Sequence, residues 1–102
     1  MLAKLALFLV PFVAAADYRL LVNKPSCVNM NEFQQTFTKL CPVFPANPSQ
    51  FTSNGVYFHP GDYSGKNNAT EALVYCVFHK SDGSTVQYTT DVLYVLGGSL
   101  VN

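Results

Sequence analysis

The sequence predicts a small α+β domain, in which one amphipathic helix packs on a small antiparallel sheet containing a C-terminal hairpin. Three observations support this fold class. A helical stripe of apolar residues follows Asn29, an apolar run covers residues 72–80, and a second run alternates apolar and polar residues from 85 to 95. Between the two runs stands Ser81-Asp82-Gly83-Ser84. Asp-Gly readily adopts the positive φ angles of a tight primed turn, so the pattern predicts a β-hairpin.

Residues 1–16 have the pattern of a signal peptide. Lys4 supplies the positive charge, residues 5–13 form the apolar core, and Ala14-Ala15-Ala16 ends in the small-residue pattern that signal peptidase cleaves. The apolar run is shorter than the ~20 residues of a membrane span. We therefore expect residues 17–102 to form a single small secreted domain that lacks a membrane span.

The charges of the expected mature domain nearly cancel and are scattered. All six acidic residues of the chain lie in it, as do all the basic residues except Lys4. No basic stripe follows a helix face or a loop, so we expect neither a nucleic-acid partner nor binding to a membrane surface. The sequence also has no recognisable motif for a cofactor or a metal, and we expect none of either.

Along the chain, residues 18–22 predict a first strand, which ends at Asn23-Lys24-Pro25. The clearest helix signal follows, because Asn29 and Glu32 have the spacing of a capping box, in which each side chain accepts the other's backbone N–H. Pro42 ends this helix, predicted over residues 30–40. Its apolar side chains share one stripe, formed by Met30, Phe33, Phe37, Leu40 and Cys41.

Residues 43–69 are rich in proline and glycine and are expected to be irregular, apart from a short strand over residues 56–59. Asn68-Ala69-Thr70 is an acceptor for N-glycosylation, which places this loop at the surface of a secreted protein. The tail from Gly97 is expected to fray.

The predicted hairpin fixes a register. If the loop has two residues, Asp82 and Gly83, then His79 lies opposite Val86 and Val77 lies opposite Tyr88. This register makes one face of the hairpin apolar on both strands and therefore the core face. The run over 72–80 is apolar on both of its faces, which predicts a central strand covered above and below.

Three cysteines in a secreted chain imply one disulfide and one unpaired thiol. Cys27 and Cys41 lie near opposite ends of the predicted helix, at least ~16 Å apart, whereas a disulfide needs Cα atoms within ~7 Å. Cys76 is therefore the shared partner. A Cys41–Cys76 bridge, which we favour, would tie the helix to the sheet, and Cys27–Cys76 stays open as the alternative. The odd cysteine could join two copies as a homodimer.

One short segment has the pattern of an enzyme loop. Tyr57-Phe58-His59, followed by Tyr63 and Asn67-Asn68, resembles a loop of the fungal guanyl-specific ribonucleases. That resemblance implies a helix on an antiparallel sheet, with His59, Glu71 and His79 as candidate catalytic groups. The spacing argues against the last two as a pair, because eight residues of strand place Glu71 and His79 ~26 Å apart.

The overall layout is similar to that of the small secreted proteins of filamentous fungi, many of them candidate effectors. This resemblance implies a non-enzymatic protein that binds an extracellular or host protein or glycan. The expected binding surface is a set of rings in the irregular region, although the same rings could instead cover the sheet: Phe44, Phe51, Tyr57, Phe58 and Tyr63. Two alternatives stand beside it, a ribonuclease-like secreted hydrolase and a wall or surface protein that self-associates through the odd cysteine or a sheet edge.

Overall fold

The computed structural model describes residues 17–101, and the predicted signal peptide lies outside them. The α+β class is confirmed. No helix within the described range is long and apolar enough to cross a membrane. The elements in chain order are β1 (Leu20–Asn23), α1 (Met30–Leu40), β2 (Phe51–Pro60), β3 (Glu71–Lys80), β4 (Thr85–Gln87), α2 (Thr89–Leu96) and β5 (Ser99–Leu100), with 3₁₀ turns at Cys41–Val43 and Pro48–Gln50.

The strands form one antiparallel sheet in the order β2-β3-β1-β5. Strand β3 is interior, as predicted. One of its edges pairs with β2 over nearly its whole length. Its other edge is shared, because β1 pairs with residues 71–74 and β4 with residues 77–79.

The gap between β1 and β4 is filled by the start of α2. The N–H of Cys76 donates to Oγ1 of buried Thr89 at 2.9 Å, and the N–H of Tyr88 donates to the carbonyl of Cys76 at 2.8 Å. Buried backbone groups need partners, and here a threonine hydroxyl takes the place of a neighbouring strand.

Replacing Thr89 by valine is expected to lower the free energy of unfolding by about 1–3 kcal/mol, because it leaves the Cys76 N–H buried without an acceptor. Valine keeps the shape of threonine, so little packing is lost. Urea denaturation of Thr89→Val beside Thr89→Ser, which keeps the hydroxyl, measures the effect. Equal midpoints for the two variants would show that the hydroxyl contributes nothing to stability.

Both helices cover the same face of the sheet. Phe33 and Phe37 of α1 and Val92 and Leu93 of α2 are buried there against the even-numbered side chains of β3. The predicted capping box of α1 is present, with both Asn29 and Glu32 bonded as expected. This local signal fixes where α1 begins and hence which side chains form its apolar stripe.

The disulfide joins Cys41 to Cys76, with Cα atoms 5.8 Å apart, and confirms the favoured pairing. It ties the end of α1 to the middle of β3. The alternative Cys27–Cys76 bridge does not form, because Cys76 is bonded to Cys41. Cys27 is an exposed free thiol.

The register predicted for the hairpin is wrong by one residue. The loop has three residues, since the N–H of Lys80 donates to the carbonyl of Ser84 and Gly83 has a φ of 91°. Phe78, and not His79, therefore lies opposite Val86. A one-residue shift exchanges the two faces of a strand. The main core face is consequently that of Ala72, Val74, Cys76 and Phe78.

Three element boundaries also differ from the prediction. The second hairpin strand ends at Gln87, and the chain then turns into α2. Strand β2 begins at Phe51, well before the predicted residues 56–59. The tail does not simply fray, because Ser99–Leu100 pairs with β1 as strand β5.

Candidate functional site

The face of the sheet opposite the helices is the candidate site. Within residues 17–101 no helix packs on it, yet Leu73 and Val77 at its centre are only 3% and 2% exposed. Neighbouring side chains on the same face shield them. We call the set around them the open face: Tyr18, Arg19, Tyr57, His59, Tyr63, Glu71 and Tyr75.

Three tyrosines of the open face pack on one another. Tyr57 of β2 lies directly opposite Tyr75 of β3, and their rings stack with centroids 5.3 Å apart and planes 15° apart. Tyr18 meets Tyr75 edge to face at 6.1 Å. Such pairs each contribute about 0.5–1.5 kcal/mol beyond the apolar area that they bury. The open face therefore holds a fixed wall of rings.

Arg19 joins this wall to the loop that follows β2. Its guanidinium lies 5.4 Å from the ring centroid of Tyr63, and the Tyr63 hydroxyl donates to the Arg19 carbonyl at 3.3 Å. Asp17 accepts two bonds from the guanidinium, each 3.0 Å long. These bonds raise the pKa of Arg19 and lower the pKa of Asp17. The Tyr57 hydroxyl also raises the pKa of Arg19. The Arg19 guanidinium is therefore held in a fixed orientation on the open face, with its charge balanced by Asp17.

The register brings two of the three candidate catalytic groups together. His59 lies opposite Leu73, and Glu71 lies two positions along β3 on the same face, which makes them diagonal neighbours about 7–8 Å apart. No hydrogen bond joins their side chains. His79 lies six residues beyond Leu73, ~20 Å along the strand, and its Nδ1 is 3.0 Å from the Thr85 hydroxyl.

The part of the chain that the structure describes has no cleft or cavity suited to a small ligand. It also contains no group of three histidine, cysteine or acidic side chains placed to hold a metal ion. The open face is therefore a surface rather than a pocket.

The structure divides the five rings of the predicted binding surface. Phe44, Phe51 and Phe58 pack against the main core; Phe51 meets Phe78 at 4.9 Å, for example. Only Tyr57 and Tyr63 lie on the open face. Phe44, Phe51 and Phe58 thus help to cover the helix-bearing side of the sheet.

Sequence reasoning missed Tyr18, Arg19 and Tyr75 as members of one surface. They become neighbours of Tyr57 and Tyr63 only because β1 and β2 both pair with β3. In sequence, α1 separates β1 from β2, and a loop separates β2 from β3. The alternation of Arg19 and of Tyr75 with core residues was the available signal, since residues two apart in a strand share a face. Tyr18 precedes β1 and carried no such signal.

The loop over residues 61–70 holds Tyr63 in place through Asp62. The Asp62 carboxylate accepts the N–H groups of Ser64 and Lys66, both at 2.9 Å, and the Ser64 hydroxyl at 2.8 Å. These bonds, above all that from Lys66, lower the pKa of Asp62. Asn68 and Thr70 of the predicted glycosylation acceptor are exposed in the same loop.

Because the pKa of Asp62 is lower in the folded state than its ordinary value of 3.8, its carboxylate stabilises the fold above that pH. The contribution disappears as the pH falls through the lowered pKa. At neutral pH we expect the wild-type protein to have a higher melting temperature than Asp62→Asn. The difference between the two melting temperatures should shrink below pH 3.8. Thermal melts of both proteins across the acid range measure it. A difference that grows on acidification would contradict this linkage.

Comparisons of the chain with protein-family models, with curated proteins and with solved structures found no match.

Proposed function

We propose that the protein is a secreted, non-enzymatic binding protein that recognises another protein through its open face. The observation that carries this proposal is a sheet face on which no helix of residues 17–101 packs, with four tyrosines and one arginine around apolar Leu73 and Val77. Tyrosine and arginine are the residues most enriched at the energetic centres of protein–protein interfaces.

The shape of the open face supports a macromolecular partner. Small-molecule sites are concave and enclose most of the ligand, and within residues 17–101 no such cavity exists. The stacked Tyr57 and Tyr75 rings are already ordered by each other. Binding through them therefore loses little side-chain entropy, which favours affinity.

Three features of the chain support secretion. The Cys41–Cys76 disulfide is of a kind that persists in oxidising compartments, and residues 1–16 have the pattern of a signal peptide. The exposed Asn68 acceptor fits the same route. Together with the likeness in layout to small secreted fungal proteins, these features favour an effector-like role toward a host or extracellular protein.

Binding to a panel of purified extracellular proteins tests the proposal. We expect at least one partner to bind the wild-type protein and to lose binding to a variant with both Tyr57→Ala and Tyr75→Ala. Tyr94→Ala is the matched control, because Tyr94 is 56% exposed on α2. Circular dichroism of each variant checks that it folds.

Loss of binding by Tyr94→Ala alone, or full binding by the double variant, would place the contact surface elsewhere. Hydrolysis of RNA, glycan or peptide substrates by the wild-type protein, at rates above those of His59→Ala and Glu71→Ala variants, would contradict the non-enzymatic assignment.

A second candidate function is a ribonuclease-like hydrolase. The observation that favours it is that Arg19, His59 and Glu71 share the open face, with His59 and Glu71 as diagonal neighbours. An acid–base pair and a cation for phosphate are the groups that RNA cleavage needs. RNA cleavage lost in both His59→Ala and Glu71→Gln would support this alternative, and an inactive wild-type protein would remove it.

A further inference from the structure

Strand β2 is an edge of the sheet. It is the end strand in the order β2-β3-β1-β5, and nothing within residues 17–101 pairs with its outer side. It runs for ten residues, Phe51–Pro60, and contains no charged side chain. Natural proteins usually protect such edges with charges, prolines or bulges, because an open ladder pairs readily with another strand.

The hydrogen bonds of β3 show which groups of β2 point outward. The N–H of Gly61 donates to the carbonyl of Glu71, so the odd-numbered residues of β2 bond to β3. Residues of an antiparallel strand alternate between its two neighbours. Asn54, Val56 and Phe58 therefore direct one N–H and one C=O each away from the sheet.

We propose that two copies of the chain pair through this edge, antiparallel and related by a two-fold axis at Val56. In this register Val56 lies opposite Val56 of the second copy, and Asn54 lies opposite Phe58. The outward groups of both strands then form six backbone hydrogen bonds. The two sheets become one continuous sheet, and the two open faces lie side by side.

The side chains of β2 fit this register. On the helix-bearing face, the two Val56 side chains, each 38% exposed in the single chain, cover each other. On the open face, each Tyr57 lies opposite Gly55 of the second copy, which has no side chain, and Val77 and Tyr75 of that copy border the space above it. An aromatic ring across from a glycine is a known way to stabilise such a position in a sheet.

A second copy is favoured over another occupant because the edge is self-complementary. The strand has no charge, so the two-fold axis brings no like charges together. Pairing is also confined to the middle of β2. A bulge between Phe51 and Ser53 interrupts one end of the strand, and Pro60, which has no N–H, interrupts the other. The opposite side of the sheet ends in β5 and β4, which have only two and three residues. The assembly therefore closes as a dimer instead of growing into a filament.

Sedimentation velocity of the secreted protein with Cys27→Ser tests the pairing without any bridge through the free thiol. We expect a dimer over the widest concentration range that solubility allows. Val56→Lys should convert it to a monomer, because the two ammonium groups would face each other. Val95→Lys is the matched control, since Val95 is 66% exposed on α2. It should remain a dimer. A monomeric parent protein, or a dimeric Val56→Lys variant, would overturn the proposal.

A cysteine at the axis tests the register in the same Cys27→Ser background. Opposite Cα atoms in a hydrogen-bonded antiparallel pair lie about 5.5 Å apart, within the range of a disulfide. Val56→Cys should therefore cross-link to its own copy under mild oxidation. Asn54→Cys should not, because its neighbour in the second copy is Phe58. Cross-linking by Asn54→Cys but not by Val56→Cys would overturn the two-fold axis at Val56.

Discussion

Replacing Cys41 and Cys76 together by alanine is expected to lower the free energy of unfolding by about 4 kcal/mol. The bridge spans a sequence separation of 35, and the chain-entropy model assigns about that much stabilisation to a loop of this length. Small domains are stable by only about 5–15 kcal/mol in total. We therefore expect the double variant to lie close to its unfolding transition at physiological temperature.

Urea denaturation measures this effect, and Cys27→Ser is the matched control. Cys27 is an exposed free thiol, so its replacement should leave the midpoint unchanged. Treatment of the control variant with reductant should reproduce the loss seen in the double variant. If the double variant and the control unfold at the same urea concentration, the disulfide does not hold the end of α1 on β3.

Phe37→Ala is expected to cost about 3–5 kcal/mol, the usual result of deleting a fully buried ring from a core. Phe37 lies on α1 with its ring centroid 6.2 Å from that of Phe33 and 5.8 Å from that of Phe58. Its removal would leave a cavity between the helix and β2. The surrounding rings cannot close this cavity without losing their own contacts.

Gln35→Ala, an exposed change on the same helix, is the control for Phe37→Ala. Surface substitutions of this kind change stability by less than about 0.5 kcal/mol. Urea midpoints for the two variants should therefore differ widely. If Phe37→Ala is as stable as Gln35→Ala, α1 does not pack on the sheet as described.

The parts of the fold that the sequence predicts well are those that depend on local chemistry. The capping box at Asn29 and Glu32 and the stop at Pro42 lie within a few residues of the helix that they delimit, and α1 has the predicted bounds. The length of that helix excluded a Cys27–Cys41 bridge, and the position of Cys41 on the apolar stripe favoured the Cys41–Cys76 pairing that forms. These predictions need no knowledge of strand register.

The predictions that were wrong depend on the pairing register of strands or on an apolar pattern whose period fits both a strand and a helix. A two-residue and a three-residue loop are both compatible with Ser81-Asp82-Gly83, yet they expose opposite faces of β3. The second apolar run is ambiguous, because its residues Val92, Leu93 and Leu96 fit a strand alternation only in part and also fall on one side of a helix. They form part of helix α2. The short apolar segment alone could not separate these two structures.

The open face could not be predicted, for the same reason. Tyr57 and Tyr75 stack because β2 and β3 pair in one particular register across the loop of residues 61–70. Neither strand contains a local motif that identifies the other tyrosine as its neighbour. The strand pairing is what brings the tyrosines and Arg19 together as one surface.

Hydroxyl-radical footprinting tests the central claim most directly, once the panel has supplied a partner. The oxidation of each tyrosine is compared between the free protein and its complex. We predict that Tyr57, Tyr63 and Tyr75 become protected while exposed Tyr94 on α2 reacts at an unchanged rate. Protection confined to Tyr94 and Val95, with the open-face tyrosines oxidised as in the free protein, would contradict the claim.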